Sequence, residues 1–257
     1  MLYIYDTVLA LVKKEIGDQY PERGGALLGV PGEPIVTEFI YDDAAETTSS
    51  SYSPSRELNR LVRNAEEENG LEFKGIIHSH PGSYNQPSYQ DISELETGLD
   101  LNPHMSCYLV PIVTCEHHGE LESHELILGE MKVSCYAGFL TTESTVRVEK
   151  MDVKVVSYGL FQKDLESLCE SISGLRNPQV YCINHDGQPL LAGKVEVEEL
   201  FDLLLLLDVS YPRCQSRILV THMDGEQEEC FLDGFEEGAL LIELEKFVLS
   251  KIDLATI

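Results

Sequence analysis

Basic residues are scarce in this 257-residue chain: 18 lysines and arginines face 45 aspartates and glutamates, for a formal charge of −27. The shortage is general, with 9 basic against 25 acidic residues up to Glu149 and 9 against 20 beyond it. Such a surface repels phosphate backbones and argues against a nucleic-acid partner. It steers basic proteins from a distance, or simply keeps the chain dissolved. Paired cysteines are lacking too. The seven cysteines are odd in number and scattered, with no CxxC pair, and most lie in or beside apolar runs where a thiol acts as a small hydrophobe. That pattern speaks against a disulfide framework and for a reducing compartment. No basic leader precedes the first apolar stretch, which Asp6 interrupts, and the run Phe201–Val209 is far too short to cross a bilayer. The expectation is a cytoplasmic protein with no membrane partner. Internal repeats and low-complexity tracts are absent as well.

What is present reads as ordinary globular sequence, 43% hydrophobic and 25% charged. The length favours two domains, expected at 1–148 and 149–257. In the first, residues 3–17 show apolar positions at helical spacing. Gly24–Gly29 reads as a strand with Ile35–Tyr41 as its hairpin partner, and the Ser- and Thr-rich stretch Asp42–Ser53 as a loop. Ser55 looks like the N-cap of a helix that Gly70 stops. Phe73–His78 is a short buried strand, Ser88 starts a helix to about Leu99, Tyr108–Thr114 is a strand, and Glu125–Leu140 is strand in one or two pieces around Gly129. Beyond residue 150, Val153–Tyr158 is strand-like and Leu160–Ser173 helical. Strands at Gln179–Ile183 and Pro189–Ala192 flank a turn at Asp186-Gly187. Val197–Leu207 reads as a strongly apolar helix, Arg217–Thr221 as a strand and Ala239–Lys251 as a closing helix. The leucine run is expected to pack a core, with a partner-docking helix as the alternative.

The segment Gly75-Ile-Ile-His78-Ser79-His80-Pro81, followed by Pro87-Ser88-Tyr89-Gln90-Asp91, carries chemistry. His78 and His80 alternate by two, so at a strand end both imidazoles project to one side. Two imidazoles and one carboxylate form a common protein ligand set for catalytic zinc, with the fourth position left open. Asp91, a loop and one helical turn further on, suits a chain folding back beside the strand. Glu22, where a strand begins, is the candidate base, and the following Gly24-Gly25 lets backbone and substrate approach closely. A glutamate after a proline is also a plain turn residue. Ser88 is placed to hydrogen-bond an oxyanion, or simply to cap its helix. Cys115, His117, His118 and His124 include ligand types for a second, structural zinc, although their spacing matches no standard finger and a polar hairpin tip explains them as well.

The pattern His-Ser-His-Pro, a serine eight residues after His80 and an aspartate three beyond it, resembles the signature of the JAMM or MPN-plus zinc metalloproteases. Glu22 and its Gly-Gly-x-Leu-x-Gly sequel are similar to that family's upstream glutamate. The resemblance covers roughly residues 1–140. It implies an α/β fold, an MPN-like (cytidine-deaminase-like) mixed sheet flanked by helices, and says nothing about the rest, which the residue pattern makes a second α+β domain. It also implies Zn²⁺ held by His78, His80 and Asp91, with Glu22 as acid/base and Ser88 as stabiliser of the intermediate. The implied activity is a deubiquitinase-like isopeptidase or peptidase acting at the C-terminus of a ubiquitin-like protein. The compact Gly-Gly segment looks more like the prokaryotic JAB-like branch, whose members accompany E1-like and E2-like proteins in conjugation systems, antiphage ones included. Ser79 between the histidines disfavours the DNA-repair branch, which usually has Asn there. Two alternatives stand beside this reading: a non-catalytic MPN scaffold, and a metal hydrolase of small molecules or sulfur-carrier proteins.

Overall fold

The computed structural model describes the chain apart from residues 18–20, 49–50, 116–118, 142–144, 186–187, 198–199, 210, 213, 235–238 and 256–257. Cα packing divides it into two compact units, Met1–Lys154 and Val155–Ile257. The first unit opens with β1 (Leu2–Tyr5), α1 (Asp6–Glu15), β2 (Gly24–Gly29), β3 (Ile35–Tyr41), the two-residue strands β4 (Glu46–Thr47) and β5 (Tyr52–Ser53), and α2 (Arg56–Asn69). It continues through β6 (Glu72–Ser79), α3 (Tyr89–Leu101), β7 (Tyr108–Leu109), β8 (Ile112–Thr114), β9 (Glu125–Leu128), β10 (Met131–Ser134), β11 (Tyr136–Leu140), β12 (Val146–Lys150) and β13 (Val153–Val156).

These strands build a mixed sheet in the order β12-β11-β7-β6-β2-β3-β1-β13, with β8 also on β6, and β10 and β9 continuing from β8. β6 is the pivot: antiparallel to β2, and parallel to both β7 and β8. Helices α2 and α3 cover it through a core of Leu58, Val62, Leu95, Leu99, Tyr108 and Ile112. Ser55 caps α2 by accepting from Leu58 N at 3.0 Å, and Gly70 ends it at φ 64°, a conformation that costs glycine least.

Three readings of this half are corrected. The helix expected over 3–17 is a strand and then a helix, because Leu2–Tyr5 is buried throughout and pairs in parallel with β3; a short, fully buried run shows no period that separates the two states. Tyr108–Thr114 is split at Val110-Pro111, where the Pro111 carbonyl instead accepts from His78 N at 3.3 Å. Glu125–Leu140 divides at Gly129 as expected and breaks once more at Cys135, giving three strands. Strand β12, which sequence reasoning missed, pairs with β11.

The Gly24-Gly25 pair lets neighbouring chain approach closely, as expected. A Cβ at Gly24 would stand 2.8 Å from the Tyr52 ring and 2.9 Å from His78 Cβ, and one at Gly25 would stand 2.2 Å from Ile40 O. Overpacking of this kind costs about 3 kcal/mol. Gly25→Ala is therefore expected to lower the urea midpoint followed by circular dichroism, by about that much free energy.

The second unit holds α4 (Tyr158–Ser171), β14 (Leu175–His185), β15 (Gln188–Val197), β16 (Phe201–Asp208), β17 (Cys214–His222), β18 (Gln227–Gly234) and α5 (Ala239–Ala255). Its five strands pair in chain order, all antiparallel. The helix expected at 197–207 is mostly β16. Phe201, Leu203, Leu205 and Leu207 are buried at strand period, while Leu204 and Leu206 face the other way. A leucine at every position fits either period, and pairing on both sides decides for the strand. One face of the sheet packs on α4, with the Phe161 ring lying over Gly193. The opposite face carries Tyr181, Ile183 and Phe231, all exposed. Among the described residues no helix is long and apolar enough to cross a membrane.

Candidate metal centre

The histidines arrive on β6, His78 within the strand and His80 just past its end. Ladder bonds fix both backbones: His78 N donates to Pro111 O, and His80 N donates to Val113 O at 2.9 Å. The alternation puts their Nε2 atoms 3.0 Å apart in a buried setting. Ser79 points to the other side and serves a different end. Its N donates to Arg23 O at 2.8 Å, and its Oγ accepts from Arg23 N at 3.0 Å. The backbone next to Glu22 is thereby tied to the strand between the histidines. On its other side Glu22 N donates to Thr48 O at 3.1 Å. Glu22 is only 6% exposed.

Asp91 comes from the first turn of α3, and a capping box puts it there. Ser88 Oγ accepts from Asp91 N at 3.3 Å, while Asp91 Oδ2 accepts from Ser88 N at 2.5 Å. The carboxylate then faces both rings, Oδ1 at 3.1 Å from His78 Nε2 and Oδ2 at 3.2 Å from His80 Nε2. Among the described residues, His78, His80 and Asp91 form the one group of three ligand-type side chains whose ligating atoms converge, all within 4.8 Å of each other.

Two tyrosines brace the rings. Tyr52 lies parallel to His78 at 5.8 Å between centroids, and its hydroxyl donates to the buried Asp42 at 3.2 Å. Asp42 in turn accepts from Ser55 N at 2.7 Å and from Ser55 Oγ at 2.6 Å. Tyr84 stacks on His80 at 5.5 Å, and its carbonyl accepts from His80 Nδ1 at 3.1 Å. In the neutral ring that bond places the proton on Nδ1 and turns the Nε2 lone pair toward Asp91 and His78. A cleft of about 210 Å³ opens at this point, lined among others by Glu22, Ser51, Tyr52, His80, Ser88 and Asp91.

These residues fit a metal ion. Tetrahedral bonds of about 2.0 Å put ligand atoms roughly 3.3 Å apart, and the separations here are 3.0, 3.1 and 3.2 Å.

Residues 6–126 match the family model described as prokaryotic homologs of the JAB domain. Over that stretch the first unit is similar to a JAB domain. None of the curated proteins matches the chain in sequence. Among solved structures, the chain is similar to protein DSY2949 from Desulfitobacterium hafniense, at 12% identity and TM-score 0.44, over 61% of this chain and 94% of that one. It is also similar to AF2198, a JAB1/MPN domain protein from Archaeoglobus fulgidus, at 13% identity and TM-score 0.31, over 61% of this chain and 100% of that one.

The electrostatics of the cleft favour positive charge. Burial pushes the Asp91 carboxyl up, yet the two imidazoles that face it, His78 and then His80, outweigh this when they carry a proton on Nε2 and hold the group far below the usual carboxylate range. Burial pulls His80 down, but Asp91 and then Glu22 more than reverse this. Glu22 itself is raised, chiefly by burial, with the histidines opposing. A raised carboxylate beside a cation site suits a group that takes up and returns a proton.

Elsewhere the chain offers less. A larger cavity of about 430 Å³ lies at the other end of β6, among Gly32, Glu72, Phe73, Lys74 and Met105, and gathers no converging ligand set. Of the expected second-zinc residues, His117 and His118 lie outside the described residues. His124 is buried edge-on against Tyr136, with Nδ1 at 3.7 Å from a Glu122 oxygen. Cys135 is fully buried and its thiol is pushed up to about 12 by burial, which makes it inert. Sequence reasoning missed Tyr52 and Tyr84; Tyr84 stands between His80 and Ser88, while Tyr52 lies far from the motif in sequence and gave no signal. It also missed the buried pair of Glu125 and Lys132, whose oxygen and nitrogen are 2.7 Å apart.

Burial pushes the Glu125 carboxyl up, but the hydrogen bond from Lys132 leads the opposing causes and brings it down to about 2, from an ordinary 4.5. A depressed folded-state value stabilises above the unfolded one. The contribution is therefore complete above about pH 4.5 and lost as pH falls toward 2. Urea unfolding at pH 5 and pH 3 is expected to show a smaller loss of stability in Glu125→Gln than in the wild type.

Proposed function

We propose that the first unit is a zinc-dependent isopeptidase or peptidase that removes or processes a ubiquitin-like protein at its C-terminus. The JAB/MPN family includes metallo-isopeptidases and non-catalytic members alike, so the reading rests on the site. The observation that carries it is the convergence of His78 Nε2, His80 Nε2 and an Asp91 carboxylate beside the buried Glu22. A scaffold has no use for a desolvated, proton-accepting carboxylate against a complete ligand set.

His78, His80 and Asp91 would hold the ion. When bound, zinc supplies a Lewis acid for the scissile carbonyl and brings the pKa of water to about 7. The remaining work falls to the chain. Glu22 accepts the proton of the attacking water and delivers it to the leaving amine. Ser88 Oγ uses a lone pair to accept from Asp91 N, which leaves its own proton free to donate to the developing oxyanion in the cleft. Tyr84 O keeps His80 in the tautomer whose Nε2 lone pair faces inward. The partners this reading calls for are a ubiquitin-like protein or its conjugates and E1-like and E2-like components.

The test is incubation of the zinc-loaded chain with ubiquitin-like fusions bearing a C-terminal extension. Cleavage after the terminal residue of the fold, with small amides spared, is the expected result. Hydrolysis of small amides with fusions untouched would favour the small-molecule hydrolase. Stoichiometric zinc without any turnover would favour a scaffold.

A further inference from the structure

The segment from Pro81 to Pro87 joins the His80 ligand to the α3 cap and holds the carbonyl that fixes His80's tautomer. One side chain anchors it to the sheet. Asn85 Nδ2 lies 3.0 Å from Glu125 Oε1 and 3.4 Å from Ser134 Oγ. A carboxylate only accepts, so the amide must present its NH₂ to it. The same Glu125 Oε1 accepts from Lys132 Nζ at 2.7 Å and from Ser134 Oγ at 3.2 Å, while Oε2 accepts from Glu122 N at 3.1 Å. Glu125, Lys132 and Ser134 are all buried. They sit on β9 and β10, and β10 pairs with β8, whose Ile112 and Val113 register with His78 and Ser79.

A buried ion pair is a poor source of net stability, because two charges must be desolvated and an apolar pair of the same shape does as well. What it supplies is a fixed, fully committed acceptor. The sheet that carries the histidines thus also carries a rigid post for the segment beside them. From this geometry we infer that Asn85, held on the Glu125–Lys132 pair, is a positioning residue that fixes the Tyr84 carbonyl and thereby the orientation and tautomer of His80. The inference rests on the reading of His80 as a metal ligand, and it makes metal affinity depend on groups that touch neither metal nor substrate.

Two readouts test it. In the metal-free chain, well above the histidine titration range, long-range ¹⁵N–¹H spectra should show His80 protonated on Nδ1. Asn85→Ala should shift it toward the Nε2–H form. Zinc competition against a chromogenic chelator should show about 10-fold weaker binding for Asn85→Ala, at the low end for loss of a ligand's supporting partner. Asn85→Asp, which sets a carboxylate against Glu125, should be weaker still, and Glu125→Gln added to it should recover part of the loss. Circular dichroism of Asn85→Ala matching wild type separates these effects from unfolding. Unchanged His80 spectra and zinc affinity in Asn85→Ala would overturn the inference, as would an Asn85→Asp variant that binds zinc no worse than Asn85→Ala. If the wild type takes up no zinc, the metal reading fails by itself, and the spectra still decide the role of Asn85.

Discussion

Replacing Glu22 by glutamine should leave zinc content unchanged and reduce turnover of a ubiquitin-like fusion by about 10²–10⁴-fold, the usual worth of a positioned proton carrier. Glutamine keeps the shape of the side chain and cannot take a proton. The backbone around Glu22 is held independently of its carboxylate, by Thr48 O on one side and, through Arg23, by Ser79 on the other. The carboxylate that remains close to the histidines, Asp91, faces both rings and is held far below the usual range, so it is a poor substitute base. Metal analysis and progress curves on the same preparation give the answer. A variant that retains most of its turnover removes Glu22 from the chemistry. One that loses zinc along with turnover makes Glu22 a ligand rather than a base.

The second large effect is expected at the ligands. His80→Ala removes one of three converging donors and leaves Asp91 Oδ2 without its imidazole partner. The loss of zinc affinity should exceed the roughly 10–100-fold that follows when a ligand merely loses its supporting partner. Elemental analysis should then show substoichiometric zinc, and turnover should fall to background. In wild type, added zinc should raise the melting temperature in a concentration-dependent way, and a chelator should reverse it. In His80→Ala both responses should vanish. A variant that still carries one zinc per chain and still turns over would dissolve the proposed centre.

The parts of the site that could be read in the sequence are those fixed by covalent spacing. A two-residue interval on a strand puts both histidines on one side whatever surrounds it. A Ser-x-x-Asp run at a helix start builds its own capping box, so Asp91 is turned toward the strand by purely local bonds. The rest depends on register. Tyr52 meets His78 because Gly24 leaves room for its ring and Asp42 holds its hydroxyl. Asn85 meets Glu125 because four strands, β6, β8, β10 and β9, pair in sequence. No pattern in a linear chain announces a contact between residues 40 apart. The same limit explains the errors in secondary structure. Leu2–Tyr5 and Phe201–Asp208 are apolar almost throughout, so period could not speak, and their strand neighbours decided the outcome.

The capping box has a kinetic side. Asp91 is at once the third residue of α3 and the carboxylate that faces the two rings, and its backbone N–H and side chain are both committed to Ser88. Helix ends fray on fast timescales, and each opening of that first turn would swing one donor away from the other two. The off-rate of a bound ion should therefore follow the breathing of a single helical turn, and a stronger cap at Ser88 would slow metal exchange without touching the ligands.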